Sequence, residues 1–171
     1  MTDCALFLEE MKREMNQHKH IDELVSRYRV DMPIISAVWD LTKDAASFNN
    51  ISEEILADGV SVYSCEMDSL WRGLFDPSIY DANTIWGRNH SNHKIAKVIE
   101  AWEMAMPLSP LFLVKHGTKD LGLVSDGKHR LTVSRAIGAL QVPFMVGSAD
   151  KGWVEKAFPG AILISHEVHG P

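Results

Sequence analysis

Val124-Ser125-Asp126-Gly127-Lys128-His129-Arg130-Leu131 decides how this chain is read. Upstream, 111–115 is an apolar run with strand character, 116–120 a turn and 121–125 a second strand, which together predict a hairpin. Asp126-Gly127 breaks the second strand. Residues 131–140 then continue as a helix, with Gly138 near its C-terminal end, and 142–146, containing Pro143, read as a further strand. The order strand, glycine turn, helix leaves the first amides of the helix without main-chain partners, at the positive end of the helix dipole. Such a place attracts anions. Lys128, His129 and Arg130 add cationic or hydrogen-bonding side chains there, and a guanidinium grips a phosphate through two parallel bonds. Spacing alone also allows a surface turn whose basic residues are simply solvated.

Working outward, Ser91 to Met104 predicts a helix with Ile95, Val98, Ile99 and Trp102 on one face and His93, Lys94, Lys97 and Glu100 elsewhere; Pro107 and Pro110 close it off. Residues 68–88 carry Trp71, Phe75, Tyr80 and Trp86 among Gly, Pro, Asp and Asn, and read as an irregular but packed loop. Val60 and Val62 alternate with Ser61 and Tyr63 in a strand over 60–64. Ahead of it, Ser52 followed by Glu53 and Glu54 starts a short helix that stops at Asp58-Gly59. Residues 34–41 are apolar enough for a strand or a buried helical turn. Between 5 and 30, Leu6, Phe7, Met11, Met15, Ile21, Leu24, Val25 and Tyr28 recur at mostly helical spacing. The polar run 16–20 interrupts them, which predicts one broken helix or two short ones. The tail, 153–164, offers a short helix and a short apolar strand.

The composition is that of a folded globule: 171 residues, 46% hydrophobic, 23% charged and five Trp. A net charge of -6 confines any nucleic-acid contact to a local basic patch working against a repulsive field. Cys4 and Cys65 form no CxxC, so neither a disulfide framework nor a thiolate cluster is indicated, and a cytoplasmic location is expected. The start of the chain lacks the pattern of a secretion signal, and no apolar run reaches the length of a membrane span. His18 and His20 are two apart and share no helix face; His90 and His93, three apart, could share one, but no second acidic or histidine pair stands beside them for zinc. The residues of a P-loop and of a nucleophile elbow are absent.

The runs Pro110-Leu-Phe-Leu-Val114, Val124 to Leu131, Arg135-Ala-Ile-Gly138 and Val142-Pro-Phe-Met-Val146 resemble the core of the ParB/sulfiredoxin superfamily, in which a strand leads into a Gly-x-x-Arg or Gly-Cys-His-Arg signature. The likeness is close over about 40 residues and extends to roughly 90 if the helix from Ser91 and the strand at Val60 are counted. It implies an α+β fold: a small mixed sheet packed against helices over 59–171, with residues 1–58 as an N-terminal helical extension packed on that core.

The same resemblance implies nucleotide binding, of ATP as in sulfiredoxins and a free-serine kinase or of CTP as in chromosome-partition proteins; some members cut DNA. By position it assigns phosphate contact to Gly127, Lys128, His129 and Arg130, with Arg88 and Lys97 as second phosphate ligands. Lys128 stands in the slot of the sulfiredoxin cysteine, and an amine forms no thiosulfinate, which removes sulfinic-acid reduction. Cleaving a phosphoanhydride or phosphodiester calls for a carboxylate to orient water, often with a divalent cation such as Mg²⁺. Asp126 beside the loop is the first choice for it, and Glu66 and Asp68, expected at the same crevice, form a second acidic pair. Lys94 and Arg135, with Arg88, Lys97, Lys128 and Arg130, make up the small basic face available to DNA. The expected function is nucleotide binding with metal-assisted NTPase or DNase activity. Two others stay open: a non-catalytic regulatory or interaction protein of plasmid or phage partition or transfer, with the N-terminal helix as the candidate surface for a protein partner, and a kinase for a small hydroxyl acceptor.

Overall fold

The computed structural model describes residues 2–87 and 89–168. Its centre is a five-stranded mixed sheet: β1 (Val60–Glu66), β2 (Leu111–Lys115), β3 (Gly122–Asp126), β4 (Gln141–Gly147) and β5 (Ile162–Val168), in the spatial order β3-β2-β4-β1-β5. Neighbours run antiparallel except β2 and β4, which pair in parallel with Leu111 opposite Phe144 and Phe112 opposite Met145. With helices on its flanks this is an α+β architecture, as the sequence predicts.

The period-two alternation of each strand sorts its side chains between two cores. Tyr63, Cys65, Leu111, Leu113, Val142, Phe144 and Val146 point to one face, where α3 (Met67–Gly73), α5 (Lys128–Ala136) and α6 (Val154–Ala157) supply Leu70, Leu131 and Val154. Val60, Val62, Phe112 and Met145 point to the other. That second face is covered by Ala46, Ile51, Ile55 and Leu56, from the 3-10 turn Lys43–Phe48 to α2 (Glu53–Asp58). A fully buried Val, Leu or Phe contributes about 1.5–3 kcal/mol, so residues 43–58 form one wall of the core.

α1 (Thr2–Val30) and α4 (Asn92–Glu103) make a third layer. Ile21, Leu24, Val25 and Tyr28 pack with Ile95, Val98, Ile99, Trp102 and, from α5, Val133. Tyr28 donates to Glu103 Oε2 at 2.5 Å, and Arg27 pairs with the same carboxylate. Burial and that hydrogen bond push the Tyr28 phenol up to about 12.

Four local expectations change. The polar run 16–20 does not break α1, which is continuous over 29 residues, because Asn, Gln, His and Lys are tolerated in an exposed helix. The stretch 68–88 is not all irregular: α3 forms over Met67–Gly73 with Met67 and Leu70 buried, followed by 3-10 turns at Pro77–Tyr80 and Ala82–Thr84. Residues 34–41 form neither a strand nor a helical turn but an extended segment fixed by one bridge, Trp39 to Leu108. α5 ends at Ala136, earlier than 140, where Gly138 adopts a left-handed φ of 71°. Among the described residues no helix is long and apolar enough to cross a membrane.

Candidate functional site

β3 ends at Asp126, and the chain turns through Gly127 (φ 92°) directly into α5. A Cβ on Gly127 would lie 2.8 Å from Leu111 Cδ2 and 3.1 Å from Arg130 Nη2, so both the turn and the close packing beneath it require glycine. The first main-chain bond of α5 runs from Leu131 N to Gly127 O (2.9 Å). No side chain caps the helix, which leaves the amides of Lys128, His129 and Arg130 ahead of that bond at the positive end of its dipole.

A second helix start meets this one. Ser91 caps α4 by accepting from Lys94 N, and Ser91 N donates to His129 Nε2 at 3.2 Å. The N-terminal ends of α4 and α5 therefore converge across one hydrogen bond. That bond needs an unprotonated Nε2, hence a neutral ring with its proton on Nδ1. Burial pushes His129 down to about 4, with His90, Lys94 and Arg130 adding to the shift and Asp126 opposing it. The ring is thus held neutral chiefly by burial, with a positive local field adding to it. Beside it is a recess of about 260 Å³ lined by Tyr80, Asn89, His90, Lys128 and His129.

Arg130 serves a different purpose in this geometry from Lys128. Its side chain is 15% exposed and turns under the loop, where Nη2 donates to Asp126 Oδ2 (3.2 Å) and Pro110 O (3.4 Å). Burial lowers its pKa from the ordinary arginine value, and Asp126 opposes that shift. Asp126 Oδ2 also accepts from Asn50 N (3.3 Å), and Asn49 Nδ2 donates to Pro110 O (2.8 Å). Arg130, Asp126, Asn49 and Asn50 together brace the loop from behind. Lys128 is exposed on the open side.

The other predicted residues separate into two places. Lys94 and Lys97 are exposed on α4, and Lys94, in its first turn, belongs to the field felt by His129. Arg88 lies outside the described residues. Asp126 lies in register with Phe112, Met145 and Val62, so Glu66 is three strands across and four residues along, a separation of about 19 Å at ordinary strand dimensions. Glu66 and Asp68 instead border a crevice of about 710 Å³ with Asp81, Asn83, Gly138 and Gln141. Arg135, at the far end of α5 from Gly127, borders it too; it lies 3.9 Å over the Trp71 ring and 3.8 Å from Asp68 Oδ1. The structure therefore does not bring the three carboxylates together. Among the described residues no three His, Cys, Asp or Glu side chains converge as metal ligands.

Sequence reasoning passed over Ser91, Asn49 and Asn50 as members of the site. Ser91 was readable as a helix start, but its contact with His129 spans 38 residues. Asn49-Asn50 reads as a break in the chain, and no local pattern carries its bonds to Pro110 and Asp126. The chain matches no family model, no curated protein and no solved structure.

Proposed function

We propose that this chain is a nucleotide-binding protein of ParB/sulfiredoxin type that takes the phosphate groups of a nucleoside triphosphate at the joined starts of α4 and α5. The observation that carries the reading is the convergence of those two helix ends on His129, one of them uncapped, beside the free-standing Lys128. Two converging helix starts and an exposed ammonium favour a multiply charged anion over a neutral ligand. The recess of about 260 Å³ has room for phosphate and not for a whole nucleotide, which leaves the base and sugar outside it.

The proposal extends to phosphohydrolysis, with Asp126 as the nearest carboxylate. A Mg²⁺ ion arriving with a triphosphate needs only one or two protein carboxylates, and it neutralises charge on the phosphates. A second reading, binding without turnover, is favoured by the engagement of Asp126 with Arg130 and Asn50 and by the distance of Glu66 and Asp68 from the loop. Amide resonances decide the first point: adding ATP or CTP with Mg²⁺ shifts the signals of Lys128, His129 and Arg130 and leaves those of residues 6–15 in place. Unmoved signals at millimolar nucleotide overturn the site. Release of inorganic phosphate, abolished by Asp126→Asn, separates hydrolysis from binding alone.

A further inference from the structure

α1 leaves the body of the protein after its C-terminal third. Ile21, Leu24, Val25 and Tyr28 are covered by α4, whereas every residue from 6 to 20 is exposed. The last residues of that stretch meet α4 by polar side chains alone, His18 beside His93 and His20 on Glu100, and a helical stretch of this length that buries no side chain is marginal in water, because propagation barely repays nucleation. Yet it carries Leu8, Met11 and Met15 at 51%, 44% and 68% exposure, large apolar side chains that gain nothing from solvent.

Their spacing is three and four. With Leu8 at heptad position a, Met11 falls at d and Met15 at the next a. Glu14 then occupies g, and Lys12 and Lys19 occupy e. This seam lies roughly a third of a turn around the helix from the face that meets α4, at 100° per residue. A second helix can therefore reach it without displacing α4.

The flanking charges select the occupant and its direction. In a parallel pair, position g of one helix meets the following e of the other, which sets Glu14 against Lys19 of the second copy on both sides of the seam. An antiparallel pair sets e against e, lysine against lysine. We propose that the N-terminal half of α1 is a self-association surface, through which two copies of this chain join in a short parallel coiled coil seamed by Leu8, Met11 and Met15. It rests on none of the residues of the phosphate site.

Sedimentation velocity at rising concentration tests the proposal on the full chain. The expected species has twice the 19.2 kDa chain mass. Met11→Glu with Met15→Glu gives monomer with an unchanged thermal transition of the body, since both side chains lie outside every core cluster. Glu14→Lys weakens association about tenfold by replacing two ion pairs with like-charge contacts, and adding Lys19→Glu restores it. Leu8→Cys in a Cys4→Ser background cross-links on oxidation, as an in-register parallel pair requires. A wild type that stays monomeric at every concentration overturns the proposal, as does a dimer indifferent to the Met11 and Met15 changes. Failure of the charge swap to restore association, or of Leu8→Cys to cross-link, overturns the parallel pairing.

Discussion

Gly127→Ala is the substitution that separates backbone from packing at the loop, because Gly138→Ala provides a matched control. Both glycines have a left-handed φ, 92° and 71°. A Cβ on Gly138 meets nothing within 4 Å, whereas one on Gly127 comes within 2.8 Å of Leu111 Cδ2 and 3.2 Å or less of two Arg130 nitrogens. The conformational part costs each variant about 1 kcal/mol. Leu111 is fully buried and Arg130 is held by Asp126 and Pro110, so neither neighbour yields freely, and overpacking adds about 1–3 kcal/mol at Gly127 alone. Urea unfolding at neutral pH should thus show a loss of about 1 kcal/mol for Gly138→Ala and about 2–4 kcal/mol for Gly127→Ala, with equal m-values. In thermal unfolding the second amounts to a fall of about 5–15 °C for a chain of this size. Equal losses at the two positions would show that Leu111 and Arg130 relax at no cost, and the account of a loop locked from beneath would be refuted.

Arg130 and Lys128 should divide stability from binding. Arg130→Ala leaves the carboxylate of Asp126 with the Asn50 amide alone and costs about 2–3 kcal/mol in denaturant unfolding. Lys128→Ala changes stability by less than about 0.5 kcal/mol, because the side chain is exposed, while calorimetry shows several-fold weaker nucleotide binding. The reverse pattern would place Arg130 in the anion contact and Lys128 in the brace. Asn49→Ala removes a buried bond to Pro110 O and should cost about 1–2 kcal/mol, measured the same way. For His129, the folded pKa of about 4 lies below the ordinary 6.5, so the unfolded chain binds the proton more readily between those values. The native state keeps its full stability above pH 6.5 and loses it as pH falls toward 4, by about 1–2 kcal/mol after allowance for partial solvent screening. His129→Gln should flatten that part of the melting profile relative to wild type. Coincident profiles would mean that burial and the neighbouring charges do not hold the ring neutral.

The strands were legible because their side chains serve two cores at once. Val60 and Val62 against Tyr63 and Cys65, or Leu111 and Leu113 against Phe112 and Val114, write the sheet's two faces into the alternation. α2 was legible from its cap, since Ser52 accepts from Ile55 N as the pattern Ser-Glu-Glu suggests. The start of α5 was legible from Gly127. α3 was hidden because its anchors, Met67 and Leu70, are followed at once by Gly, Pro and Asp, and tertiary burial outweighs that local signal. The continuity of α1 is hidden for the opposite reason: residues 16–20 bury nothing, so hydrophobic periodicity says nothing about them. β5, expected to end by 164, continues to Val168 because pairing with β1, and not apolar content, extends an edge strand.

The loop and its brace show why the site could be found only in part. An anion site at a helix start depends on the handful of residues that make the turn, and 126–130 contain them all. The brace has no such economy. It takes Asn49 and Asn50 from the wall over one face of the sheet and Pro110 from the entry to β2, while Ser91 meets His129 from the start of α4, and these come together only in the folded sheet. Residues 43–58 therefore have two tasks, covering Val60, Val62, Phe112 and Met145 and fixing Asp126 against Arg130. A deletion that treats them as a dispensable extension exposes that apolar face and releases the carboxylate beside the loop, so stability and phosphate binding should fail together. Removal of residues 2–17 alone touches neither, which makes the N-terminal half of α1, and not the whole segment before β1, the separable part of this chain.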